Sequence, residues 1–316
     1  MKTIFRNFLL VSGISLAVAA LASYWPNVVP LLAHVDPGVL GAVAAGLLIY
    51  QLINAGVWSQ VLAALGKPTP FGQTSRVWLR SEALRWLPGG IWGYGSRVVS
   101  AKRLGVDRTR ASASLVLELG LTNLAWGATT LLLLASPMAL DGLELLSQKW
   151  ASGSIPMILV YGVVAILGGL ALLHFSGLCR RLFTLIEARI PLEEVRPMMA
   201  SRALLSYIAL CSCNGVIFWQ MTKIVPGLEV DLLSAIGITG AAWLAGFWAI
   251  GVPGGIGVRE AALAAMLSYY GSVEAGIAVA VLWRALQMVV EIVALGLATV
   301  PMTGKASEAP LKSCKA

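Results

Sequence analysis

Apolar runs of membrane-span length alternate along this chain with short gaps that are basic or rich in turn residues. The runs cover about Phe8 to Tyr24, Val39 to Leu65, Ala111 to Leu134, Ile155 to Phe175, Ala203 to Thr222 and Ala275 to Val300. About 20 predominantly apolar residues suffice for a helix to cross a hydrocarbon core of about 30 Å, so six spans are predicted. Two further apolar segments are interrupted. One reads Leu87-Pro88-Gly89-Gly90-Ile91-Trp92-Gly93-Tyr94-Gly95-Ser96-Arg97, the other Val252-Pro253-Gly254-Gly255-Ile256-Gly257-Val258-Arg259-Glu260. Proline removes a backbone donor and glycine releases the chain from helical geometry. Backbone exposed in this way persists at membrane depth only where protein or a watery cavity covers it. The arms beside the first break run from about Thr74 to Leu87 and Ile91 to Leu104, those beside the second from about Ser234 to Val252 and Ile256 to Tyr270. A fourteen-residue arm reaches only about 21 Å, too short to cross. The expected fold is therefore all-α integral membrane, with about six spanning helices and two re-entrant helical hairpins.

Composition strengthens that reading. Of 316 residues, 58% are hydrophobic and 12% charged, and the mean hydropathy is +0.81, outside the range of a soluble domain. A net charge of +8 raises the question of nucleic acid, but the bases lie in gaps between apolar runs, where they set topology and meet lipid headgroups. Nineteen of the 23 Lys and Arg residues fall in the N-terminus, the Lys67 to Arg110 region, the Arg180 to Arg202 region or the tail, while Lys149 and Lys223 alone fall in the opposite loops. Those basic regions are expected to face the cytoplasm across the inner membrane, with both termini inside. The two halves, 1–135 and 155–300, then each read span, span, hairpin, span with opposite orientation, an inverted repeat within one membrane domain spanning 1–300. This symmetry favours the first run as a span over a signal peptide cleaved near Ala20-Leu21-Ala22. The stretch from Leu178 to Met198 is amphipathic and suited to the interface. Residues 301–316, with Lys305, Lys312 and Lys315, read as a disordered cytoplasmic tail. Four scattered cysteines and two histidines, His34 and His174, lack metal-ligand spacing, so neither a metal nor a cofactor is expected.

Charges within apolar segments are costly, and so are functional candidates. Arg85, Arg97, Arg259, Glu260, Arg284 and Glu291 are the expected substrate-binding residues, around hairpin tips formed by Pro88, Gly89, Gly90, Pro253, Gly254, Gly255 and Gly257. Arg80, Glu82 and Glu118 suit internal ion pairing equally well. Guanidinium offers a planar donor fork for phosphate oxygens, and each second arm aims a helix N-terminus at the membrane interior. Arg284 and Glu291, seven apart, share a helix face. Glu260 is expected to pair with a base such as Arg97 or Arg284, or to carry a coupling proton. Trp25, Trp78 and Trp150 fit interfacial belts, while Trp86, Trp92, Trp243 and Trp248 flank the breaks, placed to wall a lipid path or to stack on arginine.

The stretch Pro253 to Glu260 resembles the Pro-Gly-Gly-apolar-Gly-Val-x-Glu mark of the flippase-like transmembrane domain of the lysylphosphatidylglycerol synthase family. Leu87 to Gly93 with Arg97 is similar to the family's earlier motif, and the likeness extends from about Lys2 to Val300. The resemblance implies translocation of a lipid by this membrane part, aminoacyl transfer being the work of a separate soluble domain in two-domain members. Synthase activity is thus not carried over. The expected function is translocation of an anionic or phosphate-bearing lipid or glycolipid between leaflets, with membrane lipids, and a lipid- or glycan-modifying enzyme, as partners and no nucleic acid. Two alternatives stand beside it. One is an integral-membrane transferase acting on a lipid phosphate, against which no paired nucleophile and base appears. The other is a non-transporting partner of a lipid or polysaccharide biosynthesis enzyme. No nucleotide-binding loop is present, so transport would draw on a gradient or on downstream consumption.

Overall fold

The computed structural model describes residues 35–82, 92–137, 196–249 and 255–299, with isolated positions between these stretches. They form eight helices: α1 (Pro37–Ala64), α2 (Phe71–Glu82), α3 (Trp92–Ser100), α4 (Arg108–Thr130), α5 (Pro197–Thr222), α6 (Leu232–Trp248), α7 (Val258–Leu267) and α8 (Val273–Thr299). Short 3-10 turns extend α3 through Leu104 and α4 through Ala135. No strand occurs among the described residues. Helices α1, α4, α5 and α8 are long and apolar enough to cross a membrane, and α6 is a shorter apolar helix. They match four of the six predicted runs. The runs from Phe8 and from Ile155, nearly all of the amphipathic stretch, and the tail lie outside the described residues. So do Arg85, Pro88, Gly89, Gly90, Pro253 and Gly254.

Side-chain caps set where several helices begin. Asp36 accepts from the amides of Gly38 and Val39 at 2.6 and 3.3 Å, Asp107 from Arg110 at 2.9 Å and Asp231 from Ser234 at 2.9 Å. The Arg110 amide also holds the Asp107 carboxyl below its usual range. Its contribution to stability is therefore present at neutral pH and lost as pH falls through that lowered value. Helix α2 begins at Phe71, three residues before the expected arm, because the Pro70 carbonyl already accepts both the amide and the hydroxyl of Thr74, at 3.0 and 2.9 Å.

Contacts at the helix ends sort the bundle into two poles. At one pole the Arg196 amide donates to the Ala64 carbonyl at 2.8 Å, bringing the start of α5 beside the end of α1. Nearby, Arg80 on α2 donates from Nε and Nη2 to the Ala298 carbonyl, at 3.2 and 2.9 Å. That carbonyl is in the last turn of α8, where backbone acceptors lack helical partners and a cation is favoured. At the other pole Leu40 and Val43 of α1 join the core formed by Met221 and Val225, so α1 and α5 are antiparallel. The start of α6 and the end of α7 are also at this second pole. Leu228 pairs with Gly271, the Glu229 amide donates to the Tyr270 carbonyl at 3.1 Å, and the Tyr270 hydroxyl and Ser234 Oγ lie 2.7 Å apart. Helices α6 and α7 are therefore antiparallel, the start of one beside the end of the other. At the opposite end of the pair Gly255, with φ +68°, lies against the backbone of Gly246. With 10 residues, α7 extends only about 15 Å.

Candidate functional site

Two carboxylates from different helices converge on Arg97. Helix α3 carries Arg97 into the interior, where it is 2% exposed. Its Nη1 donates to Glu118 Oε2 on α4 at 2.6 Å, its Nη2 to Glu82 Oε2 on α2 at 3.0 Å, and its Nε to Ser81 Oγ at 2.9 Å. The guanidinium carbon lies 4.8 Å from the centre of Trp78 and 5.6 Å from that of Trp58. Trp78 Nε1 donates to the other oxygen of Glu118 at 2.7 Å, and Trp58 Nε1 to Ser114 Oγ at 3.1 Å. Trp78, expected in an interfacial belt, is thus a buried member of this network. One guanidinium between two carboxylates leaves the network with a formal excess of negative charge, and its fork is directed at protein acceptors.

Helices α7 and α8 carry a second pair, of reversed polarity. Glu260 on α7 lies with Oε1 3.1 Å from Arg284 Nε on α8, an ion pair by distance whose N–H is not aligned as a hydrogen bond. Its other oxygen accepts from the Gly257 amide at 2.6 Å and so caps α7 from within its first turn. Of the two bases weighed for Glu260, the one it meets is Arg284. Helices α3 and α7 are thus each tied to the following long helix by opposite charges, with arginine on α3 and glutamate on α7.

Between these two clamps lies a polar cavity of about 130 Å³. That is roughly tenfold the space one water molecule requires, about 10 to 15 Å³. Helix α1 contributes Tyr50, Gln51 and Asn54; α2 and α3 contribute Trp78, Glu82, Tyr94 and Arg97. Across from them stand Glu118, Thr122 and Trp126 of α4, Tyr207 and Asn214 of α5, Trp243 and Phe247 of α6, Arg259 of α7, and Gln287 and Glu291 of α8. Trp243 forms the centre of an aromatic wall. It stacks on Trp126 at 5.4 Å and on Phe247 at 5.1 Å, with the Arg259 guanidinium 5.6 Å from its ring centre. Trp92 and Trp248, by contrast, are exposed.

Of the expected binding residues, Arg97, Arg259 and Glu291 line the cavity, while Glu260 and Arg284 are not among its walls. Arg85 lies outside the described residues. Sequence reasoning passed over the amides Gln51, Asn54, Asn214 and Gln287 and the phenol Tyr207. The signal was there: Gln51 and Asn54 lie three apart on α1, and Gln287 and Glu291 four apart on α8, each a polar stripe on an apolar helix.

A second cavity adjoins the first. It has about 300 Å³, shares Gln51, Glu82 and Glu291 with it, and is otherwise lined by Leu79, Met288, Ile292 and Leu295. Ile292 and Met288 are exposed on its rim.

Helices of membrane-span length around a polar, ion-paired interior define a multi-pass helical membrane protein. Residues 9–296 match the lysylphosphatidylglycerol synthase TM region, and the chain belongs to that family. No curated protein matches the sequence.

Proposed function

We propose that this protein translocates a phosphate-bearing, anionic lipid or glycolipid between the leaflets of the inner membrane. The observation that carries the reading is the continuity of the polar cavity with the apolar groove at Gln51, Glu82 and Glu291. A headgroup in the cavity then has its acyl chains in the groove between α1, α2 and α8, and neither part of the lipid meets an environment foreign to it. Family membership and the span-length helices agree with a lipid substrate. In this reading α2 with α3 and α6 with α7 are re-entrant hairpins, and the runs from Phe8 and Ile155 complete six spans in an inverted repeat. No covalent step is assigned to the cavity residues.

The reading is tested by dequenching or reduction assays on fluorescent lipids in vesicles holding the purified protein. Leaflet exchange well above protein-free vesicles is expected; exchange at the protein-free rate rejects translocation. Arg259→Lys keeps the charge but loses the fork for phosphate oxygens. Its transport should fall at least fivefold while its unfolding temperature in detergent is unchanged.

Orientation has its own test. Cysteines at Lys102 and Arg103 should label from the cytoplasm, those at Asp141, Gly227 and Ser272 from outside. A cytoplasmic label at Ser272 would overturn the inverted topology.

A further inference from the structure

We propose that the headgroup read by the central cavity carries a six-membered polyol ring, a sugar or cyclitol, next to its phosphate. This rests on the translocase reading above and names the substrate class of that site.

The first ground is a set of polar groups without protein partners. The side-chain amides of Gln51, Asn54, Asn214 and Gln287 all line the cavity, and among the described residues none makes a hydrogen bond. The Tyr207 hydroxyl, on a residue 2% exposed, has no partner either, and Asn214 is 4% exposed. Groups of this kind are costly to leave unsatisfied in a bundle core, so they are completed by water or by a ligand. Their chemistry selects the ligand. A primary amide both donates and accepts, whereas a phosphate ester only accepts, an ammonium only donates, and a quaternary ammonium does neither. Hydroxyls do both, and four amides with a phenol match a group bearing several of them.

The second ground is the aromatic wall. Trp126, Trp243 and Phe247 line the same cavity as a stack of near-parallel rings, with interplanar angles of 18° and 9°, and a stack of this kind ends in flat aromatic surfaces. The C–H face of a saturated six-membered ring lies flat on such a surface, its weakly positive hydrogens meeting the negative face of the π system. A short open-chain polyol such as glycerol has no face of that extent. The third ground is charge. Among the described residues that line the cavity three glutamates accompany two arginines, and Arg97 is engaged by Glu82 and Glu118. Arg259, above Trp243, is placed for a single phosphate adjoining a ring on the wall.

Two probe lipids with identical fluorescent acyl chains and the same charge separate the possibilities: phosphatidylinositol, with a ring, and phosphatidylglycerol, without one. In vesicles holding the wild-type protein, exchange of the inositol lipid should be at least tenfold faster. Sites that hydrogen-bond hydroxyls discriminate strongly against analogues lacking them. Gln287→Leu and Trp243→Leu should each reduce that ratio at least threefold, checked against an unchanged unfolding temperature. Free myo-inositol at millimolar concentration should leave the exchange unaffected, because the acyl chains contribute to binding. Equal exchange of both lipids by wild type overturns the ring inference while leaving translocation standing. Exchange of neither lipid rejects the translocase reading and this inference with it.

Discussion

Arg97→Met is expected to destabilise the detergent-solubilised protein by about 3 to 5 kcal/mol, the usual result of removing one partner from a buried ionic cluster. The substitution leaves Glu82 and Glu118 facing each other's charge around the space that the guanidinium filled, while Trp78 still donates to Glu118. At roughly 2 to 4 °C per kcal/mol for a domain of a few hundred residues, the melting temperature should fall by at least about 6 °C. Arg97→Lys keeps the charge but reaches fewer of the three acceptors now engaged, so it should fall between parent and Arg97→Met. Combining Arg97→Met with Glu82→Gln and Glu118→Gln should recover most of the loss, because it also removes the two charges that would repel each other. A single variant that melts with the parent would show that the cluster does not fasten the first hairpin.

The second large effect is expected at the inner end of the other hairpin. A Cβ on Gly255 would lie 2.8 Å from both Cα and O of Gly246, and the backbone there has φ +68°. Gly255→Ala therefore carries two penalties, about 1 to 2 kcal/mol for the left-handed conformation and about 1 to 3 kcal/mol for overpacking against backbone that has nowhere to go. Gly227→Ala separates them: its φ is +84°, but nothing lies within 4 Å of the added carbon. Denaturant unfolding of both variants should show Gly255→Ala the more destabilised by the overpacking share. Equal losses would mean that α6 and α7 do not touch at this point.

The four apolar runs that became α1, α4, α5 and α8 were legible because each is a local property of the chain. Glycine, proline and hydropathy report on backbone geometry and burial without reference to any other element. Pairing is different. The spacing of Arg284 and Glu291 put them on one face of α8, yet seven residues also separate them by about 10 Å along the axis. One accordingly meets Glu260 and the other the cavity. Trp78 looked like an interfacial anchor because its own helix begins beside prolines and charges, but its indole N–H is claimed by Glu118, which only the fold brings near. The cavity amides went unremarked for a further reason. The cost of burying a charge drew attention to arginine and glutamate, while the smaller cost of a neutral amide is hidden in a helix as apolar as α1.

The hydrogen bonds from Arg80 to the Ala298 carbonyl join residues 218 apart in sequence. A ribosome adding about 5 to 20 residues per second takes roughly 10 to 45 s to make that interval of chain. Throughout it α2 is without its neighbour and the cavity lacks the wall that supplies Gln287 and Glu291. Helix α2 therefore reaches its final seat only when α8 arrives, so chains truncated before Val273 would leave the translocon with Arg80 uncovered, a ready target for membrane quality control.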